Sequence, residues 1–471
     1  MSPFRRAADE KQSQRANAIV LAQNALMEFP QDLDFEKGIL SSSAKVIVSK
    51  IISHEWTSVN VLCAFARQAL KAHEKSNFLT EVFIVEALEE ARQLDEEFAK
   101  SSKPRGPLHG MYPFDHSHGL GLPVSFKDTF GFHNRDSCVG YSTFTGKPSQ
   151  EDAALVAIVK RLGGITMYKT NVPQALLAFE SGNPIWGTST NPYNAKFTPG
   201  GSSGGEAVAL ATDSSAIGFG SDIGARRFPS KGHFGIVEGF EAVPIIVGPM
   251  ARYCEDVQLA CEAILDAKPE STDVDCLKMP WNKAAVDELA GKKLTFGYYF
   301  DDGYSMTSPA CKRAVQETIN ALSAAGHNVK LFEPPKVNEA IDIFMSLLSA
   351  DGYAGLRVPL KRDPRQPNIK LALIAPRLPY FILYLLSRIV KYVLKDDSFA
   401  RIMLLCRTKS VAEFLRWTNK RNLYRELWAA KWNEAGIDGI VCPTMPIPAL
   451  PHNETANILP VAASTFLYNV L

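Results

Sequence analysis

The run NPYNAKFTPGGSSGGE, residues 191–206, is the most informative stretch of this chain. Its last eight residues, PGGSSGGE, hold four glycines and two serines, a composition that the interior of a helix does not accept. They predict a tight loop, rich in free backbone N–H groups, that opens a helix at Ala207. Such a loop suits a phosphate or an oxyanion. A nucleotide-binding loop would end in Gly-Lys-Ser/Thr, and here Gly205 is followed by Glu206. The string also fits G-x-S-x-G twice, centred on Ser202 or Ser203, the pattern of a nucleophile elbow. An elbow follows a clear strand, however, and residues 191–199 do not read as one. The downstream histidines His233, His327 and His452 have no context that marks a Ser-His-Asp triad.

Outward from this loop the chain carries LPVSFKDTFG at 122–131, YKTNVPQ at 168–174, GSDIG at 220–224, FPS at 228–230 and GPMAR at 248–252. In that order, from about residue 58 to the last residue, these segments resemble the landmarks of the amidase-signature family. The resemblance implies an α/β fold, a mixed twisted β-sheet surrounded by α-helices, and a Ser-Ser-Lys triad that hydrolyses amides without a cofactor or metal. Lys127 matches the catalytic lysine and Ser202 the bridging serine, which in this family follows a cis peptide bond. The chemistry is coherent. Burial disfavours a charged lysine, so a neutral Lys127 would draw a proton from the nucleophile through Ser202 and return it to the leaving amine. The backbone N–H groups of Ile223, Gly224 and Ala225 match the oxyanion hole. Ser203 reads as loop scaffolding beside the substrate.

The pattern breaks at the nucleophile. The family has a string like GSDIGGSIRFPS, and this chain has GSDIGARRFPS, one residue shorter. Counting forward from Ser202 puts the slot on Arg226, and counting back from Phe228 puts it on Ala225. Neither carries a nucleophilic oxygen. Ser221 and Ser230 match ordinary family positions and are expected to point elsewhere. Other departures accompany this one. Residues 111–121, MYPFDHSHGLG, interrupt the approach to Lys127. With His109 they place Asp115, His116 and His118 in a pattern that looks like metal ligands, but a loop insertion is the more economical reading. The passage from GIVEGF to EAVPIIVGPMAR is short, and the final ASTFLYNVL matches a segment that normally continues. The chain therefore reads as an impaired amidase, or as an inactive relative that binds an acyl amide or a membrane surface.

The rest of the sequence sets broader bounds. With 51 Lys+Arg against 50 Asp+Glu, the chain lacks the basic excess of a nucleic-acid partner. Its eight cysteines are scattered without a C-x-x-C pair, and its amino terminus is polar, so an intracellular, cytoplasmic protein is expected. Apolar spacing predicts amphipathic helices over 56–75 and 81–99. Helix at 153–162 and 207–211 alternates with strand at 164–170, 217–219, 294–299 and 439–442, which argues for one α/β domain after a helical extension at 1–57.

Within the family, 297–304, 438–452 and 464–471 resemble the fatty-acid amide hydrolase and fungal acetamidase branches. Residues 376–395 place Leu378, Phe381, Ile382, Leu385, Leu386, Ile389 and Val393 on one helical face. Arg377, Arg388, Lys391 and Lys395 fall mostly elsewhere. This is an ordinary core-facing helix or, given where lipid-amide hydrolases carry a membrane-docking cap, an interfacial one within a cap-like segment at 376–405. The expected partners are a small-molecule amide and peripheral contact with a membrane, and a homo-oligomer is compatible with the sequence.

Overall fold

The computed structural model describes residues 3–101, 121–223, 227–235, 239–457, 461 and 463–471. Among these are ten strands: β1 (Leu79–Val82), β2 (Leu122–Lys127), β3 (Gly164–Thr170), β4 (Gly182–Asn183), β5 (Gly187–Thr188), β6 (Ile217–Ile223), β7 (Ile245–Met250), β8 (Thr295–Tyr298), β9 (Asn328–Leu331) and β10 (Gly439–Val441). Five form a mixed sheet in the order β1-β3-β2-β6-β7. In it β2 runs parallel to β3 and β6, and the edge strands β1 and β7 are antiparallel.

Every residue of β2 and β3 is buried, as near-continuous apolar runs require when helices cover both faces of a sheet. Parallel neighbours need long crossovers. Helix Ala154–Arg161 makes the one from β2 to β3, and helix Gly204–Ala211 lies on the path from β3 to β6. Phe126 of β2 stacks on Phe219 of β6 with ring centroids 4.7 Å apart, and Phe65, Phe78 and Tyr168 extend the same core. This topology sets the carboxyl ends of β2 and β6 side by side. Open α/β sheets bind ligands at such strand ends.

The strands expected at 294–299 and 439–442 form, but they lie in a separate parallel sheet of order β10-β8-β9, in which β8 bonds to both β10 and β9. Around it pack helices Val337–Leu348, Val411–Ala435 and Ala463–Asn469, with Phe344 stacked on Phe466 at 4.2 Å. The amino-terminal region is helical over Pro3–Leu26, Leu33–Leu40 and Ala44–Ile52.

Three element readings are corrected. The helix expected to open at Ala207 begins at Gly204, so Gly204, Gly205 and Glu206 form its first turn, where the missing Cβ of Gly205 lets it pack against Asn171. The helix expected over 81–99 starts at Ile84, because Leu79 and Val82 pair with Thr170 and Tyr168 of the buried β3. Strand pairing there outweighs the helical spacing. The helix expected over 376–395 spans Tyr380–Tyr392 and is preceded by a 3-10 turn at Ala375–Arg377. Pro376 and Pro379 cannot donate backbone hydrogen bonds, so the long helix starts after them.

The core-facing reading of this helix is also overturned. Its buried side chains are Leu383, Ser387 and Val390, whereas Phe381, Leu385, Ile389 and Val393 are 64%, 58%, 52% and 70% exposed. Among the described residues no helix is long and apolar enough to cross a membrane.

Candidate active site

Lys127 is the last residue of β2 and has no solvent exposure. Its Nζ lies 2.7 Å from Ser202 Oγ, 3.0 Å from Ser221 Oγ and 3.1 Å from the Ser221 carbonyl oxygen. Burial lowers its ammonium pKa to about 7, against the charges of Asp222 and Glu206, which raise it.

Ser202 stands on the glycine-rich loop, and the Gly201–Ser202 peptide is cis. The loop is gripped on both sides. Ser181 donates to the Gly200 carbonyl at 3.0 Å and accepts from the Gly204 amide at 3.0 Å. Thr198 Oγ1 accepts from the Gly200 amide at 3.1 Å. Gly205 must lack a side chain, since a Cβ there would sit 2.5 Å from the Asn171 nitrogen. Ser203 holds the N-cap position of helix Gly204–Ala211 without a side-chain capping bond, and its Oγ instead reaches β6, 3.4 Å from both the amide and the carbonyl of Ser221.

Ser221 is a correction to the sequence reading, which had it pointing elsewhere. β2 and β6 last pair at Phe126 and Phe219, so Ser221 lies beyond the end of β2. There the long Lys127 side chain reaches across to it. Ser230 stays apart: its amide is held by Asp273 Oδ2 at 2.6 Å. Ile223 ends β6 opposite Ile245. Gly224, Ala225 and Arg226 lie outside the described residues, as do His109, Asp115, His116 and His118. Among the described residues no His, Cys, Asp and Glu cluster could hold a metal.

None of the three downstream histidines serves the serines. His327 accepts from the Leu294 amide at 3.2 Å, and His452 meets Glu180 at 2.6 Å. His233 packs edge-on against Phe130, where burial lowers its pKa to about 3.

Two supports escaped the sequence reading. Glu206, in the first turn of its helix, is buried and accepts from Ser125 of β2 and Thr170 of β3, both at 2.6 Å. Burial pushes its carboxyl up to about 7. Lys169 of β3 is buried 2.9 Å from Asp128, and its Nζ donates to the Asp136 carbonyl and Ser137 Oγ, each at 2.7 Å. This pair secures the turn that follows Lys127. The only sequence signal for either was membership of quoted segments.

A cavity of about 580 Å³ opens beside Ser202 and Ser221, the two serines in contact with Lys127. Ser202, Ser203 and Ser221 lie on its wall, which is otherwise largely apolar, with Phe179, Met250, Phe344, Leu348, Met445 and Phe466. A volume of this size accommodates a small organic ligand. The arrangement presents hydroxyls to a buried amine at the base of an apolar chamber, which is equipment for proton transfer on a bound acyl compound.

Comparison with known proteins agrees with this geometry. The family model described as Amidase matches residues 60–471. An acetamidase of Emericella nidulans is 30% identical over 463 residues, spanning 92% of this chain and 78% of that protein. Fatty acid amide hydrolase 1 of Caenorhabditis elegans is 30% identical over 440 residues, 88% of this chain and 73% of its own. The solved structure of a fatty acid amide hydrolase superposes with a TM-score of 0.81 at 25% identity, covering 99% of this chain and 81% of that one. With the loop, the lysine at the strand end and the sheet that joins them, these matches establish that the chain belongs to the amidase family, the amidase-signature proteins.

Proposed function

We propose that this protein hydrolyses the carbon–nitrogen bond of linear amides with long apolar acyl chains, at a centre built on Lys127 and Ser202. The observation that carries the reading is the contact of the buried Lys127 Nζ with Ser202 Oγ at 2.7 Å on the wall of a largely apolar cavity. A lysine with a pKa near 7 is a competent base and acid at neutral pH. The apolar wall favours a fatty acyl group over an acetyl group, since each buried methylene contributes about 0.8 kcal/mol. Ala225 and Arg226 supply no nucleophilic oxygen where the family pattern has its second serine, so turnover is expected to be impaired by orders of magnitude relative to an intact hydroxyl triad. The exposed apolar face of helix Tyr380–Tyr392, with Arg388 and Lys391 among its polar residues, supports peripheral contact with a membrane from which such a substrate would be drawn.

The test is release of ammonia from primary amides of increasing acyl length, from acetamide to an eighteen-carbon amide. The expected result is kcat/KM rising with chain length, and a preference for acetamide would refute the fatty-acyl reading. The altered loop also favours a second reading, a non-catalytic amidase-family protein that binds an acyl amide. It predicts saturable binding of the long-chain amide without ammonia release.

A further inference from the structure

We propose that Ser202 is itself the nucleophile, forming with Lys127 a serine–lysine dyad that carries the acyl group, with Ser221 as a positioning residue. This rests on the amide-hydrolase reading and assigns the atom that the altered loop leaves unassigned. Among the described residues, three oxygens lie within hydrogen-bond distance of Lys127 Nζ: Ser202 Oγ at 2.7 Å, Ser221 Oγ at 3.0 Å and the Ser221 carbonyl at 3.1 Å. A neutral amine has two N–H donors and one lone pair. The carbonyl can only accept, so it takes one N–H. Of the two hydroxyls, Ser202 makes the shorter contact and is assigned the lone pair, with its proton directed at nitrogen. Ser221 Oγ then takes the second N–H, and its own proton points away from the base. Ser221 thereby fixes the amine's orientation on two sides.

Backbone context separates the serines in the same direction. Ser221 lies inside β6 and is paired with Val247 of β7. Ser202 lies on an open loop directly before Ser203, the cap of helix Gly204–Ala211. The positive end of a helix favours negative charge developing at that point. Gly200 lies on the cavity wall with nothing within 4 Å of the place a Cβ would take, which leaves room for a substrate carbonyl near Ser202.

The steps balance. Ser202 Oγ bonds to the amide carbonyl carbon while its proton passes to Lys127 Nζ. The tetrahedral adduct collapses, the carbon–nitrogen bond breaks, and Lys127 delivers that proton to the leaving nitrogen. A water molecule then attacks the acyl-Ser202 ester, giving its proton to Lys127. The ester C–O bond breaks, the carboxylic acid departs, and the proton returns to Ser202 Oγ.

The experiment is reaction of the folded wild-type chain with a long-chain alkyl fluorophosphonate, read by intact mass and by fragment-ion mapping. Mapping must resolve single serines, because the tryptic peptide 197–226 also contains Ser203, Ser214, Ser215 and Ser221. The expected result is one adduct, on Ser202. Its rate should climb as pH rises through about 7 and then level off, as Lys127 loses its proton. Lys127→Met is expected to slow labelling by about 100-fold or more. Ser221→Ala should label more slowly, still on Ser202. The wild-type map depends on no variant folding. An adduct on Ser221, Ser203 or any other serine, with amide turnover present, overturns the dyad and leaves the hydrolase reading standing. A folded chain with neither adduct nor turnover overturns both.

Discussion

Lys127 and Glu206 are both fully buried, and each is within electrostatic reach of the other. Burial moves both toward neutrality, the lysine down to about 7 and the carboxyl up to about 7. The consequences for stability have opposite signs. Glu206 binds its proton more tightly in the folded chain, so its contribution is complete below pH 4.5 and is lost as pH rises to about 7. Lys127 binds its proton less tightly when folded, so its contribution is complete above pH 10.5 and is lost as pH falls to about 7. Glu206→Gln keeps the side chain's size and removes its titration. The variant is therefore expected to lose the decline in stability between about pH 4.5 and 7, read as urea midpoint against pH. Parallel curves for wild type and variant would show that Glu206 does not titrate in this window. The loop through Gly200, Gly201, Ser202 and Ser203 was legible in sequence from its composition, although the helix takes in Gly204 and Gly205. The partners of Glu206 were not, because Ser125 and Thr170 come from two different strands.

At the level of elements, the helix Tyr380–Tyr392 turns its inner face inward through Leu383, Ser387 and Val390 and leaves a broad apolar face outside. Arg388 sits over the Tyr392 ring at 4.5 Å, and Lys391 pairs with Asp397 at 2.6 Å, so cations flank the apolar surface. That is the composition of a helix that lies in a membrane interface. The double variant Leu385→Glu with Ile389→Glu is expected to lower co-sedimentation with anionic phospholipid vesicles by at least about 10-fold, at an unchanged melting temperature. Equal sedimentation of variant and wild type would remove the membrane role from this face. Periodicity identified which residues share a face, but two environments, core and lipid, select the same spacing. Only the packing of the helix showed which side was left open. The strand at Leu79–Val82 teaches a related point, since its pairing partner lies about 90 residues on in β3.

For the whole molecule, the amino-terminal helix is attached to the main sheet by a buried charge cluster. Lys11 donates to Asp136 at 3.0 Å and pairs with Glu81 of the edge strand β1. Removing the cation takes the ion pair from Glu81 and leaves the buried Asp136 with only the Gly146 and Lys147 amides, each at 2.8 Å. Lys11→Met is accordingly expected to destabilise the fold by about 3 kcal/mol, measured by chemical denaturation. A loss below about 1 kcal/mol would mean that the two acids find water instead. Family and fold class were legible in the linear order of residues, and the contact of Lys127 with Ser202 was expected from the family resemblance that this order carries. The turn through Gly200, whose φ is +90°, is imposed by local backbone chemistry. The place of Ser221 beside Lys127, the burial of Glu206, the division of the described strands into three sheets and the open face of the cap-like helix were decided by tertiary structure. Each depends on which distant segment supplies the neighbouring atoms, and burial, hydrogen bonding and a shifted pKa are properties of that surrounding and not of the residue alone.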